Sequence, residues 1–425
     1  MFPLIQYGTY FYMYLLFLVT IPAFILGAMG KRIKVYGMVA TIFMIFVILG
    51  TGLHLLYFAV FIIWEVLIVF IYLEIRRRTD SIIKYRICLF LSLIPMLIFE
   101  YTETIRVKLP IGNFAYNGHK LGYTNEIWIG VVTFMGLAYL NFRVLQMIIE
   151  IYDGTITEVK LGDFLYYVTF FPALSSGPID RSRRFDKEAN NRIPRNIYLK
   201  EYALVGIRKL ILGVFYKFIL SYLIYTYWLM KIPHELTFLH AAAYAYGYTF
   251  YLFFNFAGYC LMAVGTSYFF GVKTPDNFKM PFISKDMKEF WTRWNITLSK
   301  WLGDYLYSRF VISSMRKKRF KSRYTASHIA QFMTMLIIGC WHGITWYYIL
   351  YGFLQGLMLV LTDIFQRKSK FYKRNKKKTW FKIVSIIVTF NIVVFLLLIF
   401  SGYFSHFGIV HHFVQHILHG IKSVI

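Results

Sequence analysis

The sequence predicts an all-α, polytopic integral membrane protein with about 10–12 transmembrane or re-entrant helices and one interfacial amphipathic helix. Three observations lead there. Of 425 residues, 58% are hydrophobic and only 16% charged, where ordinary globular domains hold roughly 45–50% and 25%. Apolar runs recur between short charged clusters, and about 20 such residues cross a hydrocarbon layer as a helix. The net charge of +27 is concentrated in the loops, which favours loops facing anionic lipid and an acidic partner and argues against a nucleic-acid role.

Backbone groups in hydrocarbon find partners only within their own segment, so the spans are helices. They are expected at residues 10–30, 35–50, 53–73, 87–99, 127–148, 203–230, 238–271, 329–341, 347–365 and 381–404. The first 30 residues carry no charge. A secretory signal wants a basic start and a short apolar core, so this stretch reads as a retained span with its N-terminus outside. Pro95 interrupts the run 87–99, and the stretch 164–178 ends in Pro172, Ser175, Ser176, Gly177 and Pro178. The latter suits a broken or re-entrant segment buried in protein. Basic clusters at 31–34, 76–78, 181–184, 273–323 and 367–378 assign those loops to the cytoplasm and leave the loop 100–126 outside. No internal repeat is visible. The chain reads as one membrane domain over residues 1–425, with residues 273–325 as a cytoplasmic or interfacial segment within it.

That segment is basic, yet its middle is not a solvated loop. Ser284 is placed to cap a helix in which Met287, Phe290, Trp291, Trp294, Leu298, Trp301, Leu302 and Tyr305 recur at helical spacing. Lys285, Lys288, Glu289, Arg293 and Lys300 fall largely opposite, the pattern of an amphipathic helix at the lipid surface. Cys88, Cys260 and Cys340 lie in apolar surroundings without CxxC spacing, so neither a disulfide framework nor a zinc site is expected. Cys340, two residues before His342, is placed either to accept an acyl group or, as a small residue, to sit at a helix contact. The C-terminal His406, His411, His412, His416 and His419 include an i, i+4 pair, but no carboxylate or Cys supports it and no metal is expected.

Ionisable and strongly polar residues are costly inside a membrane and are therefore candidates for function. His342 ends an apolar run in Gly339-Cys340-Trp341-His342-Gly343, just before Trp346-Tyr347-Tyr348. A neutral imidazole shielded by indoles is suited to taking a proton from a hydroxyl. The same position also suits a packed histidine bonded to a carbonyl. Asn295 lies at the margin of the amphipathic face, beside Trp291, Trp294 and Leu298. An amide reaching inward there would orient a base or donate to an oxyanion, whereas one on the polar border would simply face water.

The run Phe290-Trp291-Thr292-Arg293-Trp294-Asn295-Ile296-Thr297-Leu298-Ser299, followed further along by Trp341-His342-Gly343, resembles the signature of the membrane-bound O-acyltransferase (MBOAT) superfamily. Five further stretches are similar to the branch of that superfamily that transfers D-alanine to teichoic acid: Phe171-Pro172-Ala173-Leu174-Ser175-Ser176-Gly177-Pro178-Ile179, Tyr251-Leu252-Phe253-Phe254-Asn255-Phe256-Ala257-Gly258-Tyr259, Met262-Ala263-Val264-Gly265, Phe282-Ile283-Ser284 and Tyr347-Tyr348-Ile349-Leu350-Tyr351-Gly352. The resemblance implies that His342 is the catalytic histidine and that Asn295 holds the second signature position. It also implies His at that second position and Asp where Asn255 stands in close relatives, so this chain departs at both, and an amide cannot titrate. The implied reaction moves D-alanine from the phosphopantetheine thioester of a small acidic cytosolic carrier protein to a hydroxyl on the outer side, ultimately on the polyglycerol phosphate of lipoteichoic acid. A helper protein outside would complete the transfer. The phosphopantetheine belongs to the carrier, and the chain itself is expected to bind no cofactor. The implied location is the cytoplasmic membrane of a Gram-positive bacterium. Such a reaction needs a narrow passage for a charged amino acid and exclusion of water from the thioester.

Arg309-Phe310-Val311-Ile312 precedes Arg316-Lys317-Lys318-Arg319. An exposed apolar patch of Phe310, Val311 and Ile312 is therefore expected beside the positive charges of Arg316, Lys317 and Lys318. The charges would steer an acidic carrier and the patch would hold it, although the same charges would equally anchor lipid headgroups. Two competing readings are a polysaccharide O-acetyltransferase of the same superfamily and a non-enzymatic transporter or flippase, since broken segments and buried polar groups mark transporters too. The transporter reading lacks paired halves and leaves Trp341-His342-Gly343 without a role.

Overall fold

The long apolar runs leave the backbone only its own carbonyls as partners, and each run that is described is helical. The computed structural model describes residues 6–101, 136–233 and 235–407. These fall into two compact units, residues 1–211 with 260–275, and residues 212–259 with 276–425. Five described helices are long and apolar enough to cross a bilayer: Tyr10–Ala28, His54–Arg78, Phe238–Phe269, Trp346–Lys368 and Thr379–Phe400. The expected loop 100–126 and the start of the expected span 127–148 lie mostly outside the described residues.

The first unit holds α1 (Tyr10–Ala28), α2 (Lys34–Leu49), α3 (Leu53–Arg78), α4 (Ile82–Tyr101), α5 (Leu137–Tyr152), α6 (Leu161–Thr169), α7 (Ser182–Asn190), α8 (Arg195–Ile197) and most of α9 (Leu204–Val214). Thr9 starts α1 by accepting the Tyr12 N–H at 3.3 Å, and Arg76, Arg77 and Arg78 close α3 where the helix dipole favours cations. Pro95 is absorbed inside α4, which is longer than the sequence run suggests. Helix α5 is buried from Leu137 through Ile151 apart from Ala138, although it carries Asn141, Arg143, Gln146 and Glu150. Some of its polar groups are tied down by neighbours. Asn141 donates to the Ser92 carbonyl at 2.7 Å, and the Ser92 hydroxyl donates to Glu65 at 2.7 Å. Arg143 donates to the carbonyls of Tyr167 (3.2 Å), Val168 (2.8 Å) and Ala173. Those carbonyls are freed where α6 gives way to the short 3-10 turn Phe171–Ala173, ahead of a cis bond between Gly177 and Pro178. The broken segment read at 164–178 is therefore present and buried, with a guanidinium satisfying its open backbone.

The second unit holds α10 (Ser221–Tyr227), α11 (Phe238–Phe269, whose last turns belong to the first unit), α12 (Met287–Trp291), α13 (Ile296–Leu302), α14 (Ser308–Arg316), α15 (Arg323–His342), α16 (Trp346–Lys368), α17 (Lys370–Asn375) and α18 (Thr379–Phe400). Helices α15 and α16 pack closely. A Cβ on Gly352 would lie 2.6 Å from the Met335 carbonyl, and one on Gly339 would lie 2.5 Å from the Tyr348 carbonyl, so glycine is what lets the two backbones meet.

The amphipathic stretch differs from the single helix its aromatic spacing suggests. It is three short helices, α12, α13 and α14, separated by a turn at residues 292–295 and a π-helical turn, Gly303–Tyr307. The cap is also displaced. Asp286, not Ser284, accepts the Glu289 N–H at 2.9 Å, and Glu289 accepts the Lys285 N–H at 2.9 Å, while Ser284 donates to the Pro281 carbonyl. Burial works against the Glu289 charge, but the Lys285 N–H and the Arg293 guanidinium outweigh it and hold the carboxyl below its usual range.

Candidate active site

Asn295 ends the turn before α13 with φ 44° and ψ 52°. Asn is among the few residues that tolerate this left-handed conformation. At a helix start its side chain would normally accept a backbone N–H, but here another residue takes that work. Asn277 Oδ1 accepts the Thr297 N–H at 3.0 Å and the Thr297 hydroxyl at 2.9 Å, and the Asn277 carbonyl accepts the Ile296 N–H at 2.9 Å. The Asn295 amide is released from capping. It is 6% exposed, and its Oδ1 is buried with no hydrogen-bond partner among the described residues. An amide end left unsatisfied in an apolar setting is costly and awaits a partner.

The setting is aromatic. The Trp294 ring stacks on Phe290 at 5.6 Å and meets Phe278 edge-on at 5.1 Å and Phe253 at 6.1 Å. One turn earlier, Trp291 Nε1 donates to Gln355 of α16 at 3.1 Å. The helix leading to Asn295 is thus tied to the helix that packs on α15, which carries His342. Trp291, Trp294, Leu298 and Trp301 are all buried, so their apolar face meets protein.

His342 is the last residue of α15, and Gly343 ends the helix with φ 142°, its N–H donating to the Cys340 carbonyl at 3.1 Å. Three rings enclose the imidazole: Trp341 at 4.6 Å, Phe400 edge-on at 4.8 Å and Tyr348 at 5.8 Å. Tyr348 is brought there by the glycine-mediated approach of α15 and α16. No described residue hydrogen-bonds the His342 ring. Of the two readings open from the sequence, the histidine tied to a carbonyl is therefore not found among the described residues. Among the described residues nothing occupies its nitrogens.

The expected docking patch is divided by the helix that carries it. Adjacent residues on a helix point about 100° apart, and in α14 Val311 is turned inward at 7% exposed while Ile312 is 52% exposed. This corrects the expectation of two outward side chains. The apolar companion of Ile312 on the surface is Met315, 38% exposed. Phe310 is half-buried against Phe320, with ring centroids 6.5 Å apart, and Arg316, Lys317 and Lys318 are exposed at the end of the helix. The side chains of the C-terminal histidines, His406 onward, lie outside the described residues.

One polar centre went unread in the sequence. Asp363 of α16, 3% exposed, accepts from Lys288 of α12, from His328 Nε2 of α15 at 2.8 Å and from Arg367 one turn on. Gln366 joins it by donating to Asp286 at 2.9 Å, and the Arg367 guanidinium lies 3.8 Å over the Tyr324 ring. Three helices of the unit therefore meet on one carboxylate. The signal that could have pointed to it is a lone acid inside an apolar run.

Residues 149–405, more than half of the chain, match the model of the MBOAT, membrane-bound O-acyltransferase family. The chain is 36% identical over 401 residues to a teichoic acid D-alanyltransferase of Bacillus subtilis (strain 168), covering 93% of this chain and 98% of that relative. It is 36% identical over 417 residues to the teichoic acid D-alanyltransferase of Streptococcus thermophilus, covering 94% and 95%. It is 34% identical over 359 residues to that of Lacticaseibacillus rhamnosus, covering 81% and 83%. The likeness spans both the Asn295 turn and His342. With its helical membrane architecture and this agreement along its length, the chain belongs to the membrane-bound O-acyltransferase family and is a multi-pass membrane O-acyltransferase.

Proposed function

We propose that the protein transfers D-alanine to an acceptor hydroxyl on the outer side, ultimately for teichoic acid, taking it from the thioester of an acidic, phosphopantetheine-bearing carrier protein in the cytosol. The observation that carries the chemistry is the His342 imidazole, enclosed by Trp341, Tyr348 and Phe400 and hydrogen-bonded to no described residue. The relatives named for teichoic acid D-alanylation support the substrate class. In this reading His342 takes the proton of the acceptor hydroxyl, and the oxygen attacks the thioester carbonyl carbon. The Asn295 Nδ2 group donates to the carbonyl oxygen and steadies the charge that develops there, while its Oδ1 accepts from an N–H or O–H of the reacting groups. Collapse of the tetrahedral intermediate breaks the C–S bond, and the departing thiolate takes the proton back from His342. The products are an ester and a free carrier thiol. The aromatic surround keeps water from the thioester. A helper protein outside the membrane would carry the D-alanyl group on to lipoteichoic acid. The test is reconstitution of the purified protein in vesicles with carrier loaded with labelled D-alanine. Label passing to an acceptor hydroxyl supports the reading, and carrier that keeps its label through many protein equivalents overturns it.

Because an amide positions but does not titrate, Asn295→His should retain much of the activity and Asn295→Ala should lose about 10-fold or more, as expected of a lost hydrogen bond to a developing charge. Turnover of the two purified variants measures this. An alanine variant as active as the parent would mean that the buried amide takes no part.

The carrier, in this reading, meets the exposed face of α14. Ile312→Asp should weaken carrier binding at least about tenfold, roughly 1.4 kcal/mol, because it puts a carboxylate into the apolar centre of a contact with an acidic partner. Neutralising Lys317 and Lys318 should slow association and flatten its salt dependence while leaving dissociation nearly unchanged. Stopped-flow binding separates the two effects. Parent-like binding by the folded Ile312→Asp variant would move the docking site elsewhere.

A further inference from the structure

Helices α16 and α18 leave a cleft between them. It measures about 560 Å³ and is walled by Leu354 and Met358 of α16 and by Ile387, Val388, Ile392 and Phe395 of α18. Ile387, Val388 and Phe395 are exposed, so the cleft opens away from the protein. Asn391, the polar residue on its wall, is already engaged: its Nδ2 donates to the Ile387 carbonyl at 2.8 Å, and its Oδ1 accepts from the Tyr246 hydroxyl. Both helices are long and apolar enough to cross a bilayer, so what the cleft offers an occupant is contact with hydrocarbon.

The connection between the same two helices has the opposite character. From Arg367 to Lys382 the chain holds nine Lys or Arg and no Asp or Glu, and all nine are exposed. Arg367 pairs with Asp363. The other eight form no ion pair among the described residues, so no described acid offsets their mutual repulsion. The hairpin is nevertheless fixed. Ser369 accepts the Tyr372 N–H at 3.1 Å to start α17, and the Tyr372 ring lies 5.6 Å from Phe365 of α16 and 5.8 Å from Phe381 of α18. Phe371 and Trp380, their rings 6.3 Å apart, stay exposed beside the cations, as aromatic side chains do at the level of lipid headgroups.

An apolar stripe joins the two features. Trp380, Ile383, Val384, Ile387 and Val388 are exposed at helical spacing on α18 and run from the hairpin into the cleft. Ile387 lies roughly 12 Å along the helix axis from Thr379. An acyl chain of one leaflet spans about half of the ~30 Å hydrocarbon layer, so a lipid whose phosphate sits at the hairpin can lay its chain in the cleft. A soluble acidic protein would meet the charges but not the cleft, and an uncharged lipid would fill the cleft but leave the charges unanswered.

We propose that hairpin and cleft together bind one anionic phospholipid, its phosphate among Lys376, Lys377 and Lys378 and an acyl chain between α16 and α18. Lysine suits this task, because an ammonium acts as a point charge and imposes no planar geometry on the phosphate. The charges select the headgroup, and the cleft fixes where the lipid lies.

The test titrates the detergent-purified full chain with phosphatidylglycerol or with phosphatidylcholine and counts bound lipid by native mass spectrometry. The first phosphatidylglycerol should bind at least about tenfold more tightly than phosphatidylcholine. Replacing Lys376, Lys377 and Lys378 together with Gln should weaken phosphatidylglycerol by at least about tenfold and leave phosphatidylcholine unchanged. Val388→Trp, which fills the cleft from a side chain already exposed, should weaken both lipids with every charge in place. Arg77→Gln with Arg78→Gln, at the end of α3, should change neither. Thermal unfolding shows whether each variant is folded. Equal affinity of the parent for the two lipids, parent-like phosphatidylglycerol binding by the triple variant, or an equal loss on changing Arg77 and Arg78 overturns the proposal. A dimer of the parent that Val388→Trp breaks while lipid affinity holds overturns it too, because a second copy then covers the cleft.

Discussion

Replacing His342 with alanine should leave the protein inserted and folded and lower acyl transfer by at least about 100-fold, the usual loss when a general base is removed. The fold should tolerate the change because the imidazole meets the rings of Trp341, Tyr348 and Phe400, and no described residue depends on it for a hydrogen bond. Backbone packing at this corner is set instead by Gly339 and Gly352, which the substitution does not touch. Removing the ring opens a small space but strands no polar group among the described residues. The drop should appear in turnover, with carrier binding unaffected, because α14 is a separate helix. Purified His342→Ala with near-normal turnover would remove this residue from the mechanism.

Asp363→Asn should lower the stability of the folded protein by about 3 kcal/mol, the lower end of the range for stripping one partner from a buried ion pair. The carboxylate takes Lys288, His328 and Arg367 from three helices, and an amide keeps its shape but loses the charge and one acceptor. Lys288 and Arg367 are 34% and 42% exposed at their side chains, so part of the loss is recovered by water. Thermal unfolding of the purified variant measures the effect. Adding Lys288→Met to Asp363→Asn should recover part of the loss, since one uncompensated cation is then gone. An Asp363→Asn variant that unfolds with the parent would show that α12, α15 and α16 are held together by packing alone.

Much of this architecture was open to reading from residue types, and the exceptions share a cause. The helical spans and the break at 164–178 were legible because apolar length and Pro-Gly punctuation act locally. His342 and Asn295 stood out as polar residues among indoles. The turn at 292–295 was hidden because the aromatic spacing continues across it: Trp291, Trp294 and Leu298 are all buried, as one straight helix would also require. Asn277, which caps α13 in place of Asn295, is separated from Thr297 by 20 residues, and no local pattern links them. Asp363 draws its partners from positions 35 and 75 residues away, His328 and Lys288, and no local pattern links them. The inward turn of Val311 depends on which side of α14 meets the neighbouring helix, and two adjacent branched residues do not disclose that.

Helix α5 bears on how the protein enters the membrane at all. A segment carrying Asn141, Arg143, Gln146 and Glu150 in sixteen residues gains nothing by partitioning into lipid alone, since one central arginine opposes insertion by about 3 kcal/mol. The groups that accept the arginine, the carbonyls of Tyr167, Val168 and Ala173, are 24 to 30 residues further along the chain. When α5 leaves the ribosome these three carbonyls have not yet been made. The hydrogen bonds that tie Arg143 to the 164–178 segment therefore close only after that segment has been synthesised, and the burial of α5 is completed in the company of the broken segment that follows it.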